Sequence, residues 1–419
     1  MSDDERQQIR TGPHPLALHV ASATQNWMGA AAAFPLFQLG GLQLHPDLTQ
    51  LAGDLQKDLQ GLDLEQLQIL IMHKAQSRLS DTLAGLTAYQ KHPYRRHVTA
   101  APLFHQIGTT EVRDYGTDLP PDAPVVLAIP SLVNPAYILD LKQDHSFMRF
   151  LAGQGIHPYL LDWTTPGDEE QGFGLEDYIL NRLIPLIHIL HRHHNRKIHL
   201  LGYCMGGNLS LAAAQILQKG TEAGAQTGAE DILESLTLIA TPWDFHASQP
   251  QHISTIAGNV LKLAPLTQKK KTVPMNIMQL FFFSLDPTLS QRKFRKFSRL
   301  DPESASAHHF VAIEDWANDG ADLPPSVARD CLINWYQQNQ PHRGCWNIAG
   351  QTIDPGRLTL PGHIILPQSD RIVPPASAKA LQKKLPHFCQ TTAPGGHVTM
   401  IAGLNAKTTL WHKIASYLK

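Results

Sequence analysis

The segment KIHLLGYCMGGNLSLAAAQIL (197–217) constrains this chain more than any other. An apolar run of strand length meets Gly202-Tyr203-Cys204-Met205-Gly206-Gly207, and a stretch rich in Leu and Ala follows as a helix. A strand that turns so sharply into a helix leaves no room for side chains two residues either side of the central one. Gly202 and Gly206 flank Cys204 for that reason. The helix then begins directly beneath the thiol, where its dipole and free N–H groups favour a thiolate and offer the Met205 amide to a developing oxyanion. A buried structural cysteine between small residues would satisfy Gly-x-Cys-x-Gly too. The position between strand and helix is what marks Cys204 as a nucleophile.

Around this corner the sequence alternates β-rich runs with helical segments, the pattern of a parallel sheet with crossover helices. VVLAIP (125–130), HPYLLDW (157–163), KIHLLGY (197–203) and SLTLIAT (235–241) are strand candidates, each nearly continuous in apolar residues, as strands covered on both faces require. The pattern resumes with HIILPQSD (363–370) and FCQTTAP (388–394) before a C-terminal helix. The expected organisation is a helical extension over 1–100, a first core part over 101–245, a cap insertion over 246–325 and a second core part over 326–419. Within the insertion, Phe281-Phe282-Phe283 reads as a lid.

A nucleophile at such a corner needs an acid and then a histidine later in the chain. Asp370 closes HIILPQSD at the end of a predicted strand, and His397 stands in Pro394-Gly395-Gly396-His397 after the next one. Asp162 and Asp244 also follow strands. Asp370 is preferred because the acid commonly follows the penultimate strand in this fold, ahead of the histidine loop. The second oxyanion donor is expected from the loop after VVLAIP, at the Val133 amide. Strand order, corner and residue order together give the fold class as α/β, an α/β-hydrolase fold of mostly parallel sheet with helices on both faces, an inserted cap and a helical N-terminal extension.

Composition narrows the function. Thirty-five Lys and Arg against 36 Asp and Glu give a net charge of −1, so no global field draws the chain to nucleic acid. The basic stretches KKK (269–271) and RKFRKFSRLDP (292–302) read as anionic-ligand contacts or plain surface. The start MSDDERQQIR lacks the basic and apolar regions of a secretory signal, and WMGAAAAFPLFQLGG (27–41) is too short to span a bilayer, so a cytoplasmic protein without a transmembrane segment is expected. Four cysteines without CxxC spacing read as free thiols, and 23 histidines without an HExxH pair give no metal site.

Seven colinear stretches, among them PSLVNPAYILDLKQDHSFMRFLAGQGIHPYLLDWTTPGDEE (130–170), LLGYCMGG (200–207), LTLIATPWDF (236–245), SDRIVPPASAKAL (369–381) and PGGHV (394–398), resemble the polyhydroxyalkanoate synthases, closest to the short class III type. The resemblance covers about residues 100–419. Arg371 stands where that family usually has His, and Met205 where class III enzymes tend to have Gln.

The resemblance implies an acyltransferase that polymerises 3-hydroxyacyl-CoA into polyester and releases CoA. Cys204 matches the acylated nucleophile, His397 the general base and Asp370 its supporting aspartate. It implies coenzyme A thioester as substrate with no bound cofactor, the growing polyester as partner, a homodimer with a small partner subunit left open, and work at a cytoplasmic polyester granule. Two other readings remain: a Cys-dependent hydrolase, either a thioesterase or similar to dienelactone hydrolase, and a non-catalytic granule-associated protein.

Overall fold

The computed structural model describes residues 10–219, 232–247, 250–263 and 272–419. The run KKK (269–271) and most of the acidic start lie outside them. The chain divides into two compact units, Met1–Tyr94 with Asp286–Glu314, and Arg95–Leu285 with Asp315–Lys419. The segment 246–325 is thus shared between both units.

The larger unit is built on an eight-stranded sheet. Its strands are β1 (Leu103–Ile107), β2 (Thr110–Asp114), β3 (Val125–Ile129), β4 (His157–Asp162), β5 (Ile198–Tyr203), β6 (Leu233–Ile239), β9 (Gly362–Pro367) and β10 (Cys389–Ala393), and a two-residue hairpin, β7 (Asn347–Ile348) with β8 (Gln351–Thr352), stands apart. Spatial order is β1-β2-β4-β3-β5-β6-β9-β10. From β4 to β10 every neighbouring pair is parallel, whereas β1–β2 and β2–β4 are antiparallel. All five residues of β3 and all six of β9 are buried, as the continuous apolar runs required. Each Val, Leu or Ile so covered contributes about 1.5–3 kcal/mol relative to exposure.

The six strands from β3 onward that belong to this sheet match the runs read from sequence. The β1–β2 hairpin does not: its residues alternate with polar ones at the sheet's edge, and only the Gly108-Thr109 turn between them announces it.

The smaller unit is helical. Asp63 caps the helix Leu64–Lys91 by accepting the Gln66 N–H at 3.0 Å, and the helices Leu16–Gln38 and Thr49–Asp58 precede it. Its core joins Leu86 and Tyr89 to Phe294, Phe297, Ala307 and Val311. The basic stretch at 292 is the amphipathic helix Leu289–Phe297, with Phe294 and Phe297 inside, Arg292 paired with Asp286 at 2.7 Å and Lys293 with the buried Glu314 at 2.6 Å. Among the described residues, no helix is long and apolar enough to cross a membrane.

Candidate active site

Three loops at the carboxyl ends of parallel strands converge: the corner after β5, the loop after β9 and the loop after β10. That edge is where open α/β sheets place their chemistry. The corner is as tight as the sequence demands. Cys204 adopts φ +56°, in the left-handed region that a side chain enters only under constraint, and the helix Met205–Lys219 starts at the next residue. Its backbone is pinned on both sides, with the Cys204 N–H donated to Ile239 at 2.8 Å and the Gly207 N–H returned to the Cys204 carbonyl at 2.9 Å. A Cβ at Gly206 would stand 2.0 Å from the Ile129 carbonyl oxygen, and one at Gly202 2.4 Å from the Gly207 Cα. Both obstacles are backbone, so neither can move aside. Cys204 itself is half-buried.

The structure brings Asp370 and His397 side by side. His397 Nδ1 lies 2.6 Å from Asp370 Oδ2, while Asp370 Oδ1 accepts the N–H groups of Ile372 at 2.8 Å and Val373 at 3.0 Å. The two loops are stitched by Gln368 N–H to the Ala393 carbonyl and Ser369 N–H to Gly395. Burial alone would lower the proton affinity of the His397 ring. The Asp370 carboxylate, the Cys204 sulfur and the hydrogen bond to Asp370 outweigh it, so the imidazole holds its proton well above the ordinary histidine range. The Cys204 sulfur therefore lies close enough to that ring to bear on its charge.

The competing carboxylates are engaged elsewhere. Asp162 accepts the Thr164 N–H at 2.9 Å, and Asp244 accepts the His246 N–H at 2.9 Å and the Asn339 amide at 2.8 Å. The Met205 amide opens the helix, where no intrahelical acceptor exists for it. The Val133 amide is already committed, donating to Ser131 Oγ at 3.2 Å, so that loop would have to release it before it could meet an oxyanion.

Sequence reading missed two aromatic residues. Tyr203 is buried behind His397, and nothing local in the sequence sets it apart from any strand-end aromatic. Tyr336, within the helical segment Asp330–Gln337, is near enough to feel the charges of Cys204 and Asp370, which with burial hold its phenol protonated. Phe281, from the expected lid, is fully buried with its ring centroid 4.5 Å from that of Tyr336. A narrow recess of about 20 Å³ opens beside them, lined among others by Asp244, Phe245, Leu285, Tyr336, Arg371 and Ser377. The histidine-rich stretch after residue 190 is structural: His191 bonds the Arg196 carbonyl and His194 the Tyr159 hydroxyl, each at 2.9 Å.

The α/β hydrolase fold family matches residues 124–404, which spans the sheet from β3 to the loop beyond His397. A poly(3-hydroxyalkanoate) polymerase subunit PhaC of Synechocystis sp. is 28% identical over 304 residues, covering 70% of this chain and 77% of that protein. The subunit of the same name from Allochromatium vinosum is 26% identical over 313 residues, covering 73% of this chain and 84% of its own. That from Haloferax mediterranei is 26% identical over 302 residues, 71% of this chain and 58% of the relative. With fold, strand order and relatives in agreement, the chain belongs to the α/β-hydrolase fold family, among its polyhydroxyalkanoate synthases.

Proposed function

We propose that this protein polymerises 3-hydroxyacyl-CoA through an acyl group carried on Cys204, with His397 as general base and Asp370 as its orienting carboxylate. The observation that carries the reading is the buried 2.6 Å contact between His397 and Asp370, on a ring whose charge the nearby Cys204 sulfur also influences. With Nδ1 committed to Asp370, Nε2 is the nitrogen left to take a proton from the thiol.

The steps follow from that placement. His397 takes the Cys204 proton, and the thiolate attacks the thioester carbonyl, with the Met205 amide facing the oxygen that gains charge. Collapse breaks the bond to the CoA sulfur, which leaves with the proton from His397. The free energy of the thioester is retained, because one thioester has replaced another. The 3-hydroxyl of an incoming unit then gives its proton to His397 and attacks the acyl carbon, an ester forms, and Cys204 recovers its proton. General-base help of this type is worth roughly 10²–10⁴-fold.

A granule surface as the place of work is supported by apolar exposure. Eleven of the fourteen exposed large apolar side chains among the described residues lie between Leu36 and Leu83, with Leu39 at 83% and Leu51 at 67%. No resident cofactor has a role in this scheme; coenzyme A enters and leaves with the substrate. A homodimer or a partner subunit is compatible with it and is required by none of its steps.

The test is thiol release from 3-hydroxybutyryl-CoA with product analysis. Insoluble polyester is the expected product, lost together with thiol release in Cys204→Ala. Free hydroxy acid instead would make the protein a thioesterase, and thiol release unchanged in Cys204→Ala would end the scheme.

A further inference from the structure

We propose that Tyr203 is a positioning residue, which seats the imidazolium of His397 against its ring face and fixes the histidine loop through its hydroxyl. This rests on the reading of Cys204 and His397 as nucleophile and base.

Consecutive residues of a strand point to opposite faces. Tyr203 ends β5, and the positive φ of Cys204 breaks that alternation at the next residue. As a result both side chains lie near the same ring, the sulfur close enough to influence its charge and the phenol against its face. The Tyr203 and His397 ring centroids are 5.2 Å apart at an interplanar angle of 24°. This lies within the roughly 6 Å over which an aromatic face attracts a cation. The Tyr203 hydroxyl donates to the His397 backbone carbonyl at 3.1 Å. Burial, with the nearby Cys204 and Asp370 charges, keeps the phenol protonated, so the donor is always present.

The partners are fixed on different elements. Tyr203 belongs to the central strand of the sheet, whereas His397 sits in a loop that follows an edge strand and carries two glycines. Tying the loop's carbonyl to the strand's last residue removes its freedom to drift from the thiol. The ring face acts only when His397 is charged, which happens each time it accepts a proton from Cys204 or from the attacking hydroxyl. The other titratable groups around that ring are Asp370, Cys204 and, from the segment Asp330–Gln337, Tyr336 beside them; Arg371 lines the adjoining recess.

The experiment follows iodoacetamide alkylation of Cys204 against pH in the full-length protein, read by peptide mass spectrometry because Cys345 and Cys389 are exposed and will react as well. Tyr203→Phe keeps the ring and is expected to hold the wild-type profile, while turnover falls several-fold at unchanged KM. Tyr203→Leu removes the face and is expected to move the profile up by about one pH unit, a tenfold change in thiolate below the midpoint. If the leucine chain does not fold, pentafluorophenylalanine at position 203 keeps the shape of Phe and reverses the charge of its face; the same upward displacement is expected.

A wild-type profile in the folded Leu or fluorinated chain overturns the proposal, as does a Phe chain displaced as far as either. His397→Gln separates this from the parent reading. If it leaves the alkylation profile untouched, both fall; if it raises the profile while the Leu and fluorinated chains do not, only the role of Tyr203 falls.

Discussion

The imidazole of His397 is held by a carboxylate that has no other freedom: Asp370 Oδ2 lies 2.6 Å from its Nδ1, the Asp370 side chain is fully shielded from solvent, and the second oxygen is occupied by two backbone N–H groups. A carboxylate bound in this way cannot swing off the ring. It fixes which nitrogen carries the proton, and so which nitrogen faces the sulfur.

Asp370→Asn tests this directly. The amide is nearly isosteric, yet its NH2 group, facing Nδ1, would invert the tautomer, and its oxygen would no longer balance an imidazolium. Turnover with 3-hydroxyacyl-CoA is expected to fall on the order of 10²–10⁴-fold while the fold is retained. Steady-state thiol release checks this, and a loss below tenfold would show that orientation by Asp370 is not what the ring depends on.

The same contact makes stability depend on pH. The folded His397 binds its proton more tightly than the ordinary value of 6.5. Its contribution is therefore complete below that value and disappears as pH rises through the higher folded one. Urea midpoints of the wild type are expected to decline across that alkaline window, and Asp370→Asn to flatten the decline. Parallel curves for the two chains would contradict the linkage.

Glycine at 206 is a steric necessity, and glycine at 153 is not. A methyl group at 206 meets the Ile129 carbonyl at 2.0 Å and the Pro130 carbonyl at 2.6 Å, whereas one at 153, in the helix Phe147–Gly153, meets nothing within 4 Å. Gly206→Ala should cost about 1–3 kcal/mol or more and disable acylation, because relief requires shifting the strand or the helix start. Gly153→Ala should change stability by about 0.5 kcal/mol or less. Chemical denaturation of both chains distinguishes a tight corner from a general dislike of added methyls.

Which parts of this architecture were legible in the sequence follows from how local their causes are. The buried strands β3, β4, β5, β6, β9 and β10 announced themselves as apolar runs, because a strand covered on both faces has no polar side to show. The corner was legible because its glycines answer a local clash. Asp370 and His397 could be paired through strand order alone, and the 2.6 Å contact agrees with that pairing.

Features set by distant contacts were silent. The helix Leu289–Phe297 packs on Leu64–Lys91 across some two hundred residues of chain, so nothing in its own periodicity told that 286–314 would join the N-terminal helices. The β1–β2 hairpin hides its pairing behind polar alternation. Tyr203 looked like any strand-end aromatic, since its partner ring lies 194 residues away in sequence. Val133 failed as a free donor for a still smaller reason, a hydroxyl two residues earlier that takes its N–H.

Away from the site, Arg182 and Glu170 form a buried ion pair whose removal has a calculable direction. Arg182 Nη2 is 2.7 Å from Glu170 Oε1, with side chains 4% and 2% exposed. Glu170 also accepts the N–H of Thr109 at 3.0 Å and of Gly167 at 3.2 Å, tying the loop after β4 to the β1–β2 turn. Burial pushes the Glu170 carboxyl up, but the Arg182 hydrogen bond and the backbone donors outweigh it, so the folded value lies below 4.5. A depressed carboxylate contributes stability that is present above the unfolded value and lost as pH falls through the folded one. Arg182→Met leaves a buried charge without its partner and should destabilise the chain by about 3–5 kcal/mol at neutral pH. That penalty shrinks in acid, where Glu170 takes a proton and the uncompensated charge vanishes. Adding Glu170→Leu to Arg182→Met should recover most of the loss, because two apolar groups can fill the space that one stranded carboxylate cannot. If the double variant is as unstable as the single one, the contribution of the pair lies in the loop contacts to Thr109 and Gly167 rather than in its charges.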